Sequence, residues 1–302
     1  MSQAVIGLSR FRWVTKPIPT VTVEQWRTYA EDARTQLLPL IIRELFLAQS
    51  RSWSPKRLVE RWPDRIVTVA IDLPSHSVPY REQSTHYYRE MTLAHFVEAL
   101  DGGRTGYLAQ VPLTEFTSLQ EELDLKELGS SRIYAVNLWL GNNTRSGLHY
   151  DNADNLFGQI YGRKSALLIS PKYSRFLYPF SDNPSKSQVD PDSPDFKRHP
   201  RCAGAEVWSC DLQPGDGLYI PRGWWHHIIA EDLSFSINCW HGDSLSELER
   251  ARMFLAGGVR VVWQAANDFL FHGLMGHPYR ERLFSPPPPG VQAYKRLKSY
   301  WS

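Results

Sequence analysis

Pro214-Gly215-Asp216-Gly217-Leu218-Tyr219-Ile220-Pro221-Arg222-Gly223-Trp224-Trp225-His226-His227 reads as a tight turn, a short apolar strand, a second turn and a histidine pair. Pro-Gly-Asp-Gly is turn chemistry, with glycine supplying backbone freedom and proline a preset φ. Gly217 to Ile220 has strand length and is bounded by turn residues. Side chains alternate along a strand, so only one of His226 and His227 faces the inside of a sheet-built shell. The other is left for a structural or solvent-facing place.

The same texture extends outward in both directions. Tyr107 to Val111, Ala135 to Leu140, Ala166 to Ile169 and Phe235 to Trp240 are apolar runs of strand length, each bounded by Gly, Pro, Asn or Ser. Many short strands punctuated by turns predict a sandwich or barrel. Asp182 to Pro200, dense in Pro, Asp and Ser, reads as a long insertion, and insertions of this length tend to be functional or mobile.

The first 104 residues read as a mixed α/β region packing on this core. Trp26, Tyr29, Ala33, Leu37 and Leu38 recur at helical spacing until Pro39 ends the pattern. Ile41 to Arg43 reads as a short strand, Ser54 as the cap of a helix over Pro55 to Arg61, and Ile66 to Ala70 as a β-branched strand. Thr92 opens a helix carrying Leu93, Phe96, Val97 and Leu100, stopped at Gly102-Gly103. The strand-rich core spans 105–243. In 244–302 the helical period returns, with Ser244 and Glu247 as a capping box for a helix through Leu255. Val259 to Leu274 predicts a helix that is apolar on more than one face. Such a helix must bury itself in its own domain or in a second subunit, which predicts a homodimer. Pro286 to Pro289 then predicts a stiff exit and an extended arm.

Composition excludes several classes. Lys and Arg number 34 against 32 Asp and Glu, for a net charge of +2 without a dense basic block, so nucleic acid gains no electrostatic support as a partner. Cys202, Cys210 and Cys239 are too scattered for a disulfide framework or a C-x-x-C zinc site. Met1 to Trp13 lacks an apolar signal core, and no run reaches membrane-spanning length. The expectation is a soluble, cytoplasmic protein.

His149-Tyr150-Asp151 is the chemical counterpart of the histidine pair. Residues two apart on a strand share a face, so His149 and Asp151 converge. Alone, the tripeptide is better explained by an exposed polar pair. With one histidine from 226–227 it supplies two imidazoles and one carboxylate with open positions, the donor set of non-haem Fe(II) oxygenases. A cupin holding another divalent metal for binding or isomerisation uses the same donors.

Four ordered motifs carry a family resemblance: Ser146 to Lys164, Ser187 to Asp195, Pro214 to His227, and Ile237-Asn238-Cys239-Trp240. Together they resemble the JmjC oxygenases, nearest to the asparaginyl hydroxylase that inhibits hypoxia-inducible factor and its bacterial cupin-like relatives. The resemblance implies a double-stranded β-helix (jelly-roll, cupin) core, mainly β with flanking helices and a helical C-terminal extension. It implies iron(II) on His149, Asp151 and His226, with 2-oxoglutarate and dioxygen as co-substrates. Lys164 matches a lysine that pairs with the distal carboxylate of 2-oxoglutarate, Tyr107 a tyrosine bonded to the same group, and Ser146 a threonine there. Asn155 and Asn238 match asparagines near the co-substrate, and Trp240 a tryptophan lining the site. Residue type alone reads Lys164 as a solvated strand-end lysine, Tyr107 and Trp240 as core aromatics, and the asparagines as turn or ladder residues. His227 is expected to be structural, and His86, His199 and His241 have no motif support.

The activity implied is oxidative decarboxylation of 2-oxoglutarate to succinate, coupled to hydroxylation of an amino-acid side chain in a peptide or protein. Hydroxylation of a free amino acid or small metabolite is the alternative. N-demethylation starts from the same donors, but no reader domain or basic chromatin-binding region accompanies them.

Overall fold

The computed structural model describes residues 13–74, 87–125, 132–230, 232–279 and 286–300. His86 and almost all of the Met1 to Trp13 stretch lie outside them. The chain opens with strands β1 (Thr15–Pro17) and β2 (Thr20–Val21), helix α1 (Val23–Gln36) and strand β3 (Leu40–Ile42). Helices α2 (Leu47–Ser52) and α3 (Pro55–Arg61) follow, then β4 (Ile66–Ile71), β5 (Tyr88–Thr92), α4 (Leu93–Asp101), β6 (Gly106–Pro112) and α5 (Thr117–Glu122). The core strands are β7 (Ile133–Asn142), β8 (Thr144–Arg145), β9 (His149–Tyr150), β10 (Ala153–Tyr161), β11 (Lys164–Ile169), β12 (Val207–Leu212), β13 (Gly217–Ile220), β14 (Trp225–Ala230) and β15 (Ser234–Ser244). Helices α6 (Glu247–Ala256), α7 (Val259–Asp268) and α8 (Pro289–Ser299) close the chain.

Two sheets face each other in a jelly roll. The larger runs β2-β3-β13-β10-β15-β7-β6-β4-β5, and the smaller β1-β12-β11-β14-β8, with β9 also on β14. Strands from the first hundred residues therefore extend both sheets. The alternation of β11 shows how the layers are sewn together. Ala166 and Leu168 enter the cluster between the sheets with Phe157, Leu218 and Ile220. Leu167 and Ile169 join Val207, Trp225 and Ile229 on the outer face of the smaller sheet. Both faces are covered, which is why this strand reads as one continuous apolar run. Trp26, Phe96, Leu100, Leu108 and Tyr219 fill a third cluster, where the helices of the first region cover the larger sheet.

Several helix boundaries follow the sequence signals. Ser54 caps α3 and Thr92 caps α4, each accepting from a backbone N–H three residues on. α1 ends earlier than Pro39, with Leu37 in the left-handed conformation (φ 52°). Two expectations need correction. The capping box of α6 is Ser246 with Glu249, not Ser244 with Glu247, because β15 continues to Ser244 and postpones the helix. The tail is not an extended arm. Pro289 occupies a first-turn position, where its missing N–H costs nothing, and starts α8. α8 packs close to α7: a Cβ on Gly290 would lie 2.0 Å from the Ala265 carbonyl oxygen. Tyr294 meets Phe269 edge to face at 5.7 Å. Phe269 begins a π-helical turn, Phe269–Leu274, that follows α7 directly.

Candidate metal centre

The Pro214 turn positions the histidine strand by backbone bonds. Gly215 takes φ +98° and donates to the Gln159 carbonyl at 2.7 Å. The second turn places Gly223 at φ +77°, and its N–H donates to the Asp151 carbonyl at 2.9 Å. The two motifs are thus bonded backbone to backbone. β14 then pairs antiparallel with β9, with Trp225 opposite Tyr150 and His226 opposite His149. Directly opposed residues share a face. The histidines face inward together, while Tyr150 and Trp225 meet on the outer side at 4.9 Å.

Strand β9 stops at Tyr150, yet Asp151 still reaches the histidines. One donor atom from each of His149, Asp151 and His226 lies within 4.8 Å of the others. His226 Nε2 is 3.7 Å from Asp151 Oδ2, and the two imidazole rings are 4.2 Å apart. His149 Nδ1 donates to the Gly147 carbonyl at 2.8 Å and His226 Nδ1 to the Trp224 carbonyl at 3.0 Å. A carbonyl only accepts, so each Nδ1 carries the proton and each Nε2 keeps a lone pair for a metal. Burial drives the His149 pKa well down, with the Lys186 and His226 charges adding to it and the Gly147 bond opposing. Burial also lowers His226, against the attraction of Asp151. Neutral imidazoles beside a carboxylate fit a divalent transition metal.

Asp151 is held in turn. Its Oδ2 accepts from Trp240 Nε1 at 2.9 Å and from Asn155 Nδ2 at 3.4 Å. Asn155 and Trp240 are register partners on β10 and β15, which puts both on one side of the carboxylate. Asn155 Oδ1 accepts from Asn238 Nδ2 at 3.3 Å, and Asn238 Oδ1 accepts from Trp139 Nε1 at 2.6 Å and from Asn137 Nδ2 at 3.3 Å. Resemblance set Asn155 and Asn238 beside a co-substrate; here they belong to a network ending on the Asp151 carboxylate. Asn137 and Trp139 were not singled out by sequence, because one residue type in a strand does not announce a partner a hundred positions away.

The His149, Asp151 and His226 donors and the Asn155, Asn238, Trp139 and Trp240 side chains line one cavity of about 380 Å³, together with Tyr107, Ser146 and Lys164. Lys164 begins β11 after a turn at Gly162, whose φ is +69° and where a Cβ would meet the Leu233 carbonyl at 2.2 Å. Lys164 is only 3% exposed, so it is not a solvated strand-end lysine. Its Nζ sits 5.3 Å from the centre of the Phe157 ring, and no carboxylate among the described residues pairs with it. Burial pulls its pKa down to about 7. Tyr107 lies against Trp139 at 5.7 Å, in room left by Gly141, where a Cβ would be 2.7 Å from the Tyr107 ring. Ser146 Oγ accepts from Ile228 N at 3.0 Å, leaving its own proton to donate.

His227 points the other way. Its Nδ1 meets the Ser146 carbonyl at 2.5 Å and its Nε2 the Asp192 carboxylate at 3.2 Å. Asp192 also accepts from Arg145, which Asp190 approaches at 3.6 Å. Burial raises the Asp192 pKa, but the His227 and Arg145 hydrogen bonds outweigh it and hold the carboxyl at about 2. This knot ties the Asp182 to Pro200 insertion to β8 and β14. His199 and His241 are buried away from the cavity wall. Sequence reading passed over Lys186, which lines the cavity and bridges to His149. Burial lowers its pKa while Asp151 opposes. Its one signal was its place immediately before Ser187, where the second motif begins.

Comparison with known proteins follows the same residues. The family described as "Cupin-like domain" matches residues 27–247, well over half of the chain. Lysine-specific demethylase 8 of Xenopus tropicalis is 41% identical over 144 residues, 45% of this chain and 32% of that protein. Jumonji C domain-containing protein 5 of Drosophila melanogaster is 32% identical over 136 residues, 44% of this chain and 34% of that protein. tRNA wybutosine-synthesizing protein 5 of Gallus gallus is 41% identical over 91 residues, 30% of this chain and 28% of that protein. The chain thus spans about a third of the length of these curated relatives. With the jelly roll, the His-Asp-His donor set and these likenesses together, the chain belongs to the cupin-like domain family, among its JmjC members.

Proposed function

We propose that this protein is an iron(II)- and 2-oxoglutarate-dependent oxygenase that hydroxylates an amino-acid side chain in a peptide or protein. One observation carries the oxygenase reading beyond a generic metal cupin: the buried ammonium of Lys164, paired with no carboxylate among the described residues, in the same cavity as the His149, Asp151 and His226 donors. A cupin with no acidic co-substrate has no use for that charge, whose burial is costly without a partner. Iron(II) held by the triad, with 2-oxoglutarate and dioxygen, supplies the oxidising power to hydroxylate a C–H bond while releasing succinate and carbon dioxide.

The chain's own residues bind, orient and exclude water. Lys164 takes the distal carboxylate of 2-oxoglutarate as a point charge. Tyr107 and Ser146 each have a hydroxyl proton to give the same group. Trp240 and Asn155 fix the Asp151 carboxylate so that it keeps its lone pairs aimed at the metal. Asn238 holds Asn155 in turn, and Trp139 closes that wall. The outward apolar residues of the C-terminal helices, Val259, Trp263, Leu274 and Met275 among them, support a homodimer through this element. The sequence motifs, which resemble those of an asparaginyl hydroxylase, are the ground for favouring side-chain hydroxylation. The demethylase likeness supports a second reading, oxidation of an N-methyl group by the same steps.

Anaerobic loading with Fe(II) and 2-oxoglutarate, then air in the presence of a peptide library, separates these readings by mass spectrometry. Gain of one oxygen on a peptide is expected; loss of a methyl from methylated members favours the second reading. Turnover confined to free metabolites or to tRNA added in parallel refutes the peptide substrate. His149→Ala, Asp151→Ala and His226→Ala are each expected to abolish succinate formation with the fold intact. Survival of activity in any one overturns the metal assignment.

A further inference from the structure

Lys186 stands in line with the two histidines. It forms an antiparallel bridge with His149, and His149 pairs on its other side with His226. Opposed residues in antiparallel pairing project to one face, so Lys186, His149 and His226 make a row across three segments. Two members of the row offer lone pairs. The third is an ammonium on the cavity wall, engaged by no hydrogen bond or ion pair among the described residues.

The charges around the cavity do not account for it. Asp151 is the sole acidic residue lining the cavity among the described residues. Arg145 is already held by Asp190 and Asp192. On the oxygenase reading, a divalent metal, the Asp151 carboxylate, a dianionic co-substrate and the Lys164 ammonium neutralise one another. Lys186 is left over, and 2-oxoglutarate has no third carboxylate to give it. A half-buried cation on the wall of this cavity is best satisfied by an answering anion.

We propose that Lys186 anchors a carboxylate of the substrate, so that the C–H bond to be oxidised lies within a few bonds of an acidic side chain or a chain-terminal carboxylate. This rests on the oxygenase reading and narrows its substrate class. An ammonium with three rotatable donors suits a group that enters and leaves, more than a fixed fork would. The structural rival is that Lys186 merely supports Asp151. In that case it affects metal binding and is indifferent to the probe.

The test uses the full chain loaded with manganese(II) in place of iron and saturated with 2-oxoglutarate under nitrogen. The paramagnetic relaxation of probe protons then reports binding beside the metal without turnover. Three probes separate the sources: N-acetyl-aspartate amide carries only the side-chain carboxylate, N-acetyl-asparagine only the terminal one, and N-acetyl-asparagine amide neither. One of the first two is expected to bind about tenfold or more tightly than the third, the size of a charge-assisted hydrogen bond. Lys186→Met is expected to erase that preference while manganese still binds, and Lys186→Arg to keep most of it. Equal relaxation by all three probes, including none, overturns the proposal, as does a preference that survives in Lys186→Met. If 2-oxoglutarate fails to bind, or binds regardless of Lys164→Met, the oxygenase reading falls and takes this proposal with it. If it binds through Lys164 without any carboxylate preference, only the role of Lys186 falls.

Discussion

Asp192→Asn removes one charge and almost no volume from the knot that fastens the insertion to the metal-bearing strand. The Asp192 side chain is 21% exposed; it accepts from Arg145, 15% exposed, and from His227, 1% exposed. Holding the carboxyl at about 2, against an ordinary value of 3.8, corresponds to about 2 kcal/mol of stability. The substitution costs more than that figure where it strands the partners, since breaking a buried ion pair from one side is worth roughly 3–5 kcal/mol. Asp190, at 3.6 Å from Arg145, offsets part of the loss. The expected destabilisation is therefore about 2–4 kcal/mol near neutral pH. The sign with pH follows from a folded-state pKa that is depressed. The contribution is complete above the unfolded carboxylate value, about 4, and is lost as pH falls toward 2. Urea denaturation of the metal-free protein, followed by tryptophan fluorescence at pH 7 and near pH 3, measures both. A difference at pH 7 below about 0.5 kcal/mol, or one undiminished at the lower pH, refutes the reasoning.

Three other perturbations probe separate parts of the molecule. With Lys164 near 7 in the ligand-free protein, its ammonium form is lost as pH rises, so 2-oxoglutarate affinity is expected to weaken above pH 7 by up to about tenfold per pH unit. Calorimetry on wild type and Lys164→Met checks this, and a flat profile in the wild type refutes it. Gly141→Ala puts a methyl 2.7 Å from the Tyr107 ring and 2.8 Å from the Gly106 carbonyl oxygen. A loss of about 1–3 kcal/mol is expected, along with weaker 2-oxoglutarate binding, read by thermal melts and titration. Trp263→Glu, at a residue 65% exposed, is expected to turn a dimer into a monomer in sedimentation velocity, and a wild type already monomeric at micromolar concentration excludes the dimer.

The strands were legible because their signals are local. β13 was bounded to the residue by Gly217 and Pro221, and Ser54 and Thr92 announced their helices by cap chemistry alone. Alternation required that only one of His226 and His227 face inward, and the family resemblance, not the period, picked His226. Signals failed where the deciding partner is remote. Ser244 looks like a cap until β15 is seen to need it for pairing with Ala153. Pro286 to Pro289 looks extended until Gly290 lets the next helix lie on α7. Lys186 drew no notice because nothing in its neighbourhood of sequence names His149, and Asp192 lay inside a quoted motif whose text does not reveal Arg145 and His227 closing on it.

The short strands β1 and β2 have a consequence for how the molecule is made. Thr15 lies opposite Val207, and Thr20 opposite Ile41, which in turn sits opposite Leu218. One edge strand of each sheet therefore comes from early in the described chain, and its sheet is completed by later strands: β1 waits for β12, and the β2-β3 pair for β13. During synthesis β1 stays unpaired until β12 has emerged, and the β2-β3 pair has no sheet to join until β13 has, so closure of the roll is a late event of high contact order. Folding of this protein is expected to be slow, with β1 and β2 settling late although they precede their sheets in the chain.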